Sequence, residues 1–220
     1  MSSPEPTRVE VLRVLRKHKV IAAKYLDMGC GDGSFTLEIA KIVKAEEVYG
    51  VDKEPRGVPK PIKLLTCDLA VERVPLPSNY FDLITAIEVL EHLPYGDNLV
   101  AEASRLLKRG GLFLLTTPNL ASWINRVLLL FGYQVMHVEP SRFYHIGLPL
   151  GVRRRQSYAG HLMLYTLRGL TDMLKVYGFD VIDKKGVHWP VKNKLLSYLD
   201  RFFSKRTSLA QDLVILARKL

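Results

Sequence analysis

The sequence predicts an α/β fold on a mainly parallel sheet, and three observations carry that prediction. Tyr25-Leu26-Asp27-Met28-Gly29-Cys30-Gly31-Asp32-Gly33-Ser34-Phe35 compresses a buried strand, a glycine turn and a helix start into one short stretch. Strand-like runs then alternate with helical runs as far as residue 116, a pattern that implies parallel strands joined by right-handed crossovers. Near the end, two more strand-like runs are joined through an amphipathic helix without a standard crossover, which fits an antiparallel pair.

Taken in order, residues 7–19 place Val9, Leu12, Val14 and Leu15 among basic residues at helical spacing, an amphipathic helix expected beside the cleft. A strand over 24–28, a helix over 34–44 and a strand over 47–52 follow. Prolines between 55 and 61 leave little room for a full second helix, so this crossover is expected to be abbreviated. Next come strands over 62–67 and 81–87, a helix over 98–107, a turn at Arg109-Gly110-Gly111 and a strand over 112–116. From Thr117 to about Gly160 the pattern loosens, too long for a plain connection. Residues 117–165 are therefore read as a lid or acceptor-binding insertion in a single domain of 1–220, opening with a helix over 121–131. A helix over 166–177, a strand over 179–185, an amphipathic helix over 191–203 and a strand over 212–218 complete the chain.

The glycine turn is the most specific feature. Glycines at alternate positions let the backbone bend sharply and approach a ligand where any Cβ would intrude. The dinucleotide fingerprint would need glycine at 34, where the chain has Ser34; the third glycine falls one residue early, at Gly33. With Asp27 leading the turn and Asp52 ending the next strand, the stretch resembles the class I S-adenosylmethionine (SAM) dependent methyltransferases. The resemblance implies a Rossmann-like seven-stranded, mostly parallel sheet with an antiparallel last strand, and SAM above its carboxyl ends. It implies further that Asp27, Gly29, Cys30, Gly31 and Gly33 form the turn under the methionine part of SAM. Asp52, followed by Lys53, would hold the ribose hydroxyls, a task for a carboxylate that can accept two hydrogen bonds. Asp68 would meet the adenine amine, Leu69 would offer a backbone contact, and Ile87 would pack near the transferred methyl. Asp27 and Asp52 are also residue types common in turns and caps for local reasons.

Ile87-Glu88-Val89-Leu90-Glu91-His92-Leu93 is the second informative stretch, because Glu88, Glu91 and His92 share one face if the segment is helical. Similar Glu-x-x-Glu-His sets occur in ubiquinone-pathway O-methyltransferases and small-RNA 3′-end 2′-O-methyltransferases, where they can hold a divalent metal. His137, His145 and His161 are further candidates only if the insertion folds over. His92 is the expected catalytic base toward an acceptor hydroxyl, since an imidazole titrates near neutrality; shaping the pocket and a purely structural place are the alternatives. The amino-methylating enzymes carry Asn/Asp-Pro-Pro-aromatic after the fourth strand, where this chain has Ala86-Ile87-Glu88-Val89. Cytosine C5 methylation needs a cysteine nucleophile near the fourth or fifth strand, and Cys30 and Cys67 lie elsewhere.

Composition narrows the partners. The net charge of +10 is unevenly spread: residues 1–110 carry 16 Lys and Arg against 16 Asp and Glu, and residues 111–220 carry 16 against 6. The basic half, with clusters at Arg153-Arg154-Arg155, Lys184-Lys185, Lys192/Lys194 and Arg201/Lys205/Arg206, suits an anionic acceptor, RNA, an anionic membrane surface, or simply a solvated face. Apolar residues interleaved with it suit a lipid-linked acceptor, peripheral membrane contact or core packing. No apolar run is long enough to cross a bilayer and no apolar signal core is seen, so the expected compartment is the cytoplasm. The leading expectation is SAM-dependent methylation of a small-molecule, glycan or lipid-linked acceptor, most simply at oxygen. RNA 2′-O-methylation and a SAM-binding regulatory protein without transfer are the alternatives.

Overall fold

The computed structural model describes residues 4–155, 158–189 and 193–220. The start of the helix expected over 191–203, and Lys192 of one basic cluster, lie outside the described residues. The strands are β1 (Lys24–Met28), β2 (Glu47–Asp52), β3 (Lys63–Thr66), β4 (Phe81–Ile87), β5 (Leu107–Pro118), the short β6 (Tyr144–His145) and β7 (Arg153–Arg154), β8 (Phe179–Val187) and β9 (Asp212–Lys219). The helices are α1 (Glu5–Lys17), α2 (Ser34–Val43), α3 (Asp97–Leu106), α4 (Trp123–Leu130), α5 (Leu167–Val176) and α6 (Lys194–Ser204).

Seven strands form one sheet in the order β3-β2-β1-β4-β5-β9-β8. The first five are mutually parallel, and β9 runs antiparallel to both β5 and β8. This is the predicted Rossmann-like architecture with its antiparallel close. Strands β1 and β4 are buried along nearly their whole length because helices cover both faces of the sheet. One apolar cluster joins Met28, Phe81, Phe113 and Leu213 to α3 and α5. The other joins Tyr25, Leu83 and Leu114 to α1 and α2.

Several local expectations are corrected. In α1 the buried apolar side is Val11, Leu12, Val14 and Leu15, whereas Val9 faces solvent. No helix interrupts residues 53–62, as the prolines require. Strand β5 runs well beyond the expected 112–116: its pairing with β4 jumps from Phe81↔Leu107 to Leu83↔Leu112, so the Gly110-Gly111 turn is a bulge that the ladder passes over. Three helices start on a side chain that accepts an amide: Ser122 from Asn125, Thr166 from Gly169 and Asn193 from Leu196.

Register aligns the site. Asp27 sits beside Gly50 on one side and Thr85 on the other, Asp52 pairs with Thr66, and Ile87 pairs with Thr116. The carboxyl ends of β1, β2 and β4 therefore open side by side.

Candidate active site

Two cavities open over those strand ends, one of about 370 Å³ and one of about 720 Å³, and Gly29, Gly31, Asp52 and Ile87 line both. The glycine turn shapes the wall between them. Gly29 has φ +86°, and a Cβ there would stand 2.3 Å from Val89 Cγ2. Gly31 has φ +55°, and a Cβ there would meet nothing within 4 Å, because the space before it is the cleft. The turn therefore has no room for a side chain at Gly29 and leaves open space for a ligand before Gly31. Asp52 Oδ2 accepts from Gly31 N–H at 2.8 Å and Oδ1 from Glu54 N–H at 2.9 Å, so its carboxylate is oriented toward both cavities.

The other expected residues divide. Cys30 lines the smaller cavity, with its thiol pushed up to about 12 by burial; Cys67, on the larger one, is pushed up to about 11 for the same reason. Neither is a thiolate nucleophile. Asp27 is buried under the turn, where Oδ1 accepts from Thr85 Oγ1 and Oδ2 from Thr36 Oγ1, both at 2.6 Å. It ties β1 to β4 and to the first turn of α2. Gly33, at φ +74°, starts α2 packed on Ile62 and is not among the lining residues of either cavity. Lys53, Asp68 and Leu69 line the larger cavity, where Lys53 Nζ donates to Asp68 Oδ2 at 2.7 Å and the Leu69 carbonyl accepts from Asn98.

Glu88, Glu91 and His92 do not share a helical face. Glu88 has φ +55° and Leu90–His92 is a single 3₁₀ turn, so the spacing of an α-helix does not apply. Glu88 turns toward β5, where Oε1 accepts from Thr116 Oγ1 at 2.7 Å. Glu91 and His92 instead meet His161 of the insertion, and one ligand-type atom from each lies within 4.8 Å of the others. Backbone contacts fix this meeting: Leu162 and Met163 N–H donate to the Glu91 carbonyl at 2.7 and 3.1 Å. His92 Nδ1 lies 3.3 Å from the Gly160 carbonyl and His161 Nδ1 3.1 Å from the His137 carbonyl. With Nδ1–H donated, each Nε2 carries a free lone pair.

Glu91 is fully buried. Its Oε2 accepts from Thr117 Oγ1, Oε1 has no hydrogen-bond partner among the described residues, and burial raises its pKa to about 8. Burial also lowers the pKa of His92, His137 and His161, so each favours the neutral, lone-pair-bearing form. His137 stands 5.9 Å from His161 and 5.8 Å from Trp189, centroid to centroid, on the same cavity wall. His145 remains on β6.

A model of the family described as "Methyltransferase domain" matches residues 8–184. The chain belongs to the class I SAM-dependent methyltransferases. It is 37% identical over 118 residues to the ubiquinone biosynthesis O-methyltransferase of Nitrosococcus oceani, covering 49% of each chain. It is 28% identical over 173 residues to the protein of the same name from Cereibacter sphaeroides, covering 74% of this chain and 63% of that one. The matched region thus spans about half the length of the first of these relatives. A Bacillus halodurans structure described as a "putative methyltransferase" superimposes with a TM-score of 0.66 at 17% identity, covering 96% of this chain and 99% of the other.

Sequence reasoning missed lining residues that distant elements bring to the cleft, among them Arg8, Pro4 and Trp189. Arg8 and Pro4 bring α1 to the cleft, Arg8 on the smaller cavity and Pro4 on the larger; Trp189 closes the larger cavity from the end of β8. The amphipathic start of the chain was the available signal for Arg8. Trp189 had none, because its place depends on Asp212 Oδ2 accepting both its Nε1–H and the Thr7 hydroxyl.

Proposed function

We propose that this methyltransferase moves the SAM methyl group to a hydroxyl of a small, largely apolar acceptor. The observation that carries the reading is continuity: one cavity joins the Gly29/Gly31/Asp52 wall to the His92/His161 wall across Leu69, Val89, Leu93, Pro94 and Leu162. The open cradle at Gly31 fits the donor. Asp52 holds its ribose hydroxyls, Lys53 and Asp68 border the adenine end, and Asp27 fixes the turn from beneath. Bound SAM supplies an electrophilic methyl on a sulfonium sulfur. The apolar wall excludes water and aligns the acceptor oxygen, and His92 Nε2 takes the acceptor proton. Residues 117–165 act as the acceptor lid, since Pro118, His137, Ala159 and His161 come from that segment. The relatives' name supports O-methylation. Among the described residues no helix is long and apolar enough to cross a membrane. Free thiols at Cys30 and Cys67 fit a reducing compartment, which favours the cytoplasm.

A second role for the Glu91/His92/His161 group rests on the orphaned Glu91 Oε1. A buried carboxyl oxygen with no hydrogen-bond partner among the described residues, in a group that brings Glu91, His92 and His161 ligand atoms within 4.8 Å of one another, fits a divalent cation. Such a cation would lower the pKa of an acceptor hydroxyl. Cobalt(II) absorption should then develop on titration and be lost in His161→Ala, with S-adenosylhomocysteine (SAH) binding retained.

The test of the main reading is transfer of labelled methyl from SAM into cell-extract fractions. Label is expected in the small-molecule or organic fraction, absent with Asp52→Ala and reduced about 10²–10⁴-fold with His92→Gln while SAH still binds. Label released by nuclease, or tight SAH binding with no transfer to any fraction, would overturn it.

A further inference from the structure

The surface around α4 and α6 carries an inference independent of the active site. On α4 and just after it Leu129, Leu130 and Phe131 face outward, Leu130 79% and Phe131 70% exposed. On α6 Leu195, Tyr198 and Phe202 do the same. The two helices are in contact, because the Trp123 ring stacks on Phe203 at 5.2 Å and Trp123 Nε1 donates to Asp200 Oδ1 at 2.7 Å. Beyond α4, Gln134 N–H donates to the Gly147 carbonyl at 2.7 Å, bringing the loop of exposed Phe143, Leu150 and Val152 alongside. Exposed apolar side chains grouped in this way mark an interaction site.

The charge on these segments has one sign. Arg126, Arg142, Arg153 and Arg154 are exposed on the insertion, and Lys194, Arg201 and Lys205 on and after α6. The only carboxylates of residues 121–155 and 193–206 are Glu139 and Asp200, and both are used internally. Glu139 accepts from Gly160 N–H and Arg155, and Asp200 from Trp123, Trp189 N–H and Gln211. These segments therefore present exposed aliphatic and aromatic side chains together with cations for which their own sequence supplies no free carboxylate.

We propose that this face docks on an anionic lipid bilayer. A bilayer interface takes both components at once, apolar side chains at the acyl boundary and Lys and Arg among the headgroups. RNA would use the cations and the aromatics but gains little from Leu129, Leu130, Leu150, Val152 and Leu195. A second copy of the chain would set like charges against one another. The insertion that bears the patch also walls the larger cavity, so docking and acceptor entry involve the same segment.

The experiment is flotation of the full chain with vesicles of phosphatidylcholine alone or with one quarter phosphatidylglycerol, at low and high salt. Binding is expected to the anionic vesicles and to be about tenfold weaker on neutral ones or in high salt. Leu130→Ser/Phe131→Ser should cut it about tenfold at an unchanged melting temperature, because both side chains are exposed. No flotation, equal flotation on neutral vesicles, or binding insensitive to the double variant would overturn the proposal. So would a dimer by light scattering that the double variant dissociates, or retention of labelled RNA that displaces the vesicles.

Discussion

Asp27 and the two glycines beyond it show how single residues divide the labour of the cleft. Burial holds the Asp27 pKa up at about 6, against the lowering effect of the Thr36 and Thr85 hydroxyls. In the unfolded chain the group titrates near 3.8, so between about pH 4 and 6 the folded state binds more protons and stability falls as pH rises. The loss attributable to Asp27 is at most about 3 kcal/mol, since each unit of pKa is about 1.4 kcal/mol. Chemical denaturation of Asp27→Asn across that range should show this component of the slope gone; an unchanged slope would place the proton elsewhere. Gly29→Ala adds a Cβ 2.3 Å from Val89 at a left-handed φ, and should destabilise the fold by about 2–4 kcal/mol. Val89→Ala in the same chain should return the steric part and leave the backbone part of about 1–2 kcal/mol. Gly31→Ala meets open space, so it should cost only that backbone part while weakening SAH at least tenfold by calorimetry. Equal losses of stability in the two alanine variants would contradict this division.

At the level of elements, one buried carboxylate gathers the start of the insertion, the end of β8 and the approach to β9. Asp200 on α6 accepts from Trp123 Nε1, Gln211 Nε2 and the Trp189 amide, so α4, the end of β8 and the approach to β9 converge on it. Asp200→Ala orphans three donors and should cost about 2–4 kcal/mol. Limited proteolysis within 121–155 should accelerate while SAH affinity changes less than about threefold, because the residues of the glycine turn lie on other elements. Cleavage confined elsewhere would show that the insertion is held by other means. Elements governed by local pattern were legible in the sequence: β1, β2 and β4 fall on their predicted residues because short runs rich in apolar and β-branched residues end at a glycine turn, an Asp or a charged residue. Elements whose geometry is set by distant contacts were not. The spacing of Glu88, Glu91 and His92 suggests a helix, but Glu88 adopts a left-handed φ to reach Thr116, and His161 arrives from far along the chain. The double glycine at 110–111 likewise reads as a turn before a strand, although the pairing with β4 begins at Leu107.

Across the whole molecule, strand order makes donor binding and folding one event. The residues proposed to hold SAM come from the ends of β1, β2 and β4, and β1 is hydrogen-bonded to both of the others. The last strand in sequence, β9, lies inside the sheet between β5 and β8, so the complete sheet needs residues from both halves of the chain. Helix α1 is drawn in by the same strand, through Thr7 donating to Asp212 at 3.0 Å, and carries Arg8 to the cleft. A ligand that binds only the native cleft adds RT ln(1 + [L]/Kd) to stability, about 2.7 kcal/mol at one hundred times Kd. For a chain of this length that is a rise of about 5–10 °C in melting temperature. Calorimetry should therefore show one transition that moves as a unit with SAH and does not move in Asp52→Ala. Two transitions, of which SAH shifts only the first, would mean that the insertion melts independently, and that the wall bearing His161 is assembled separately from the glycine turn it faces.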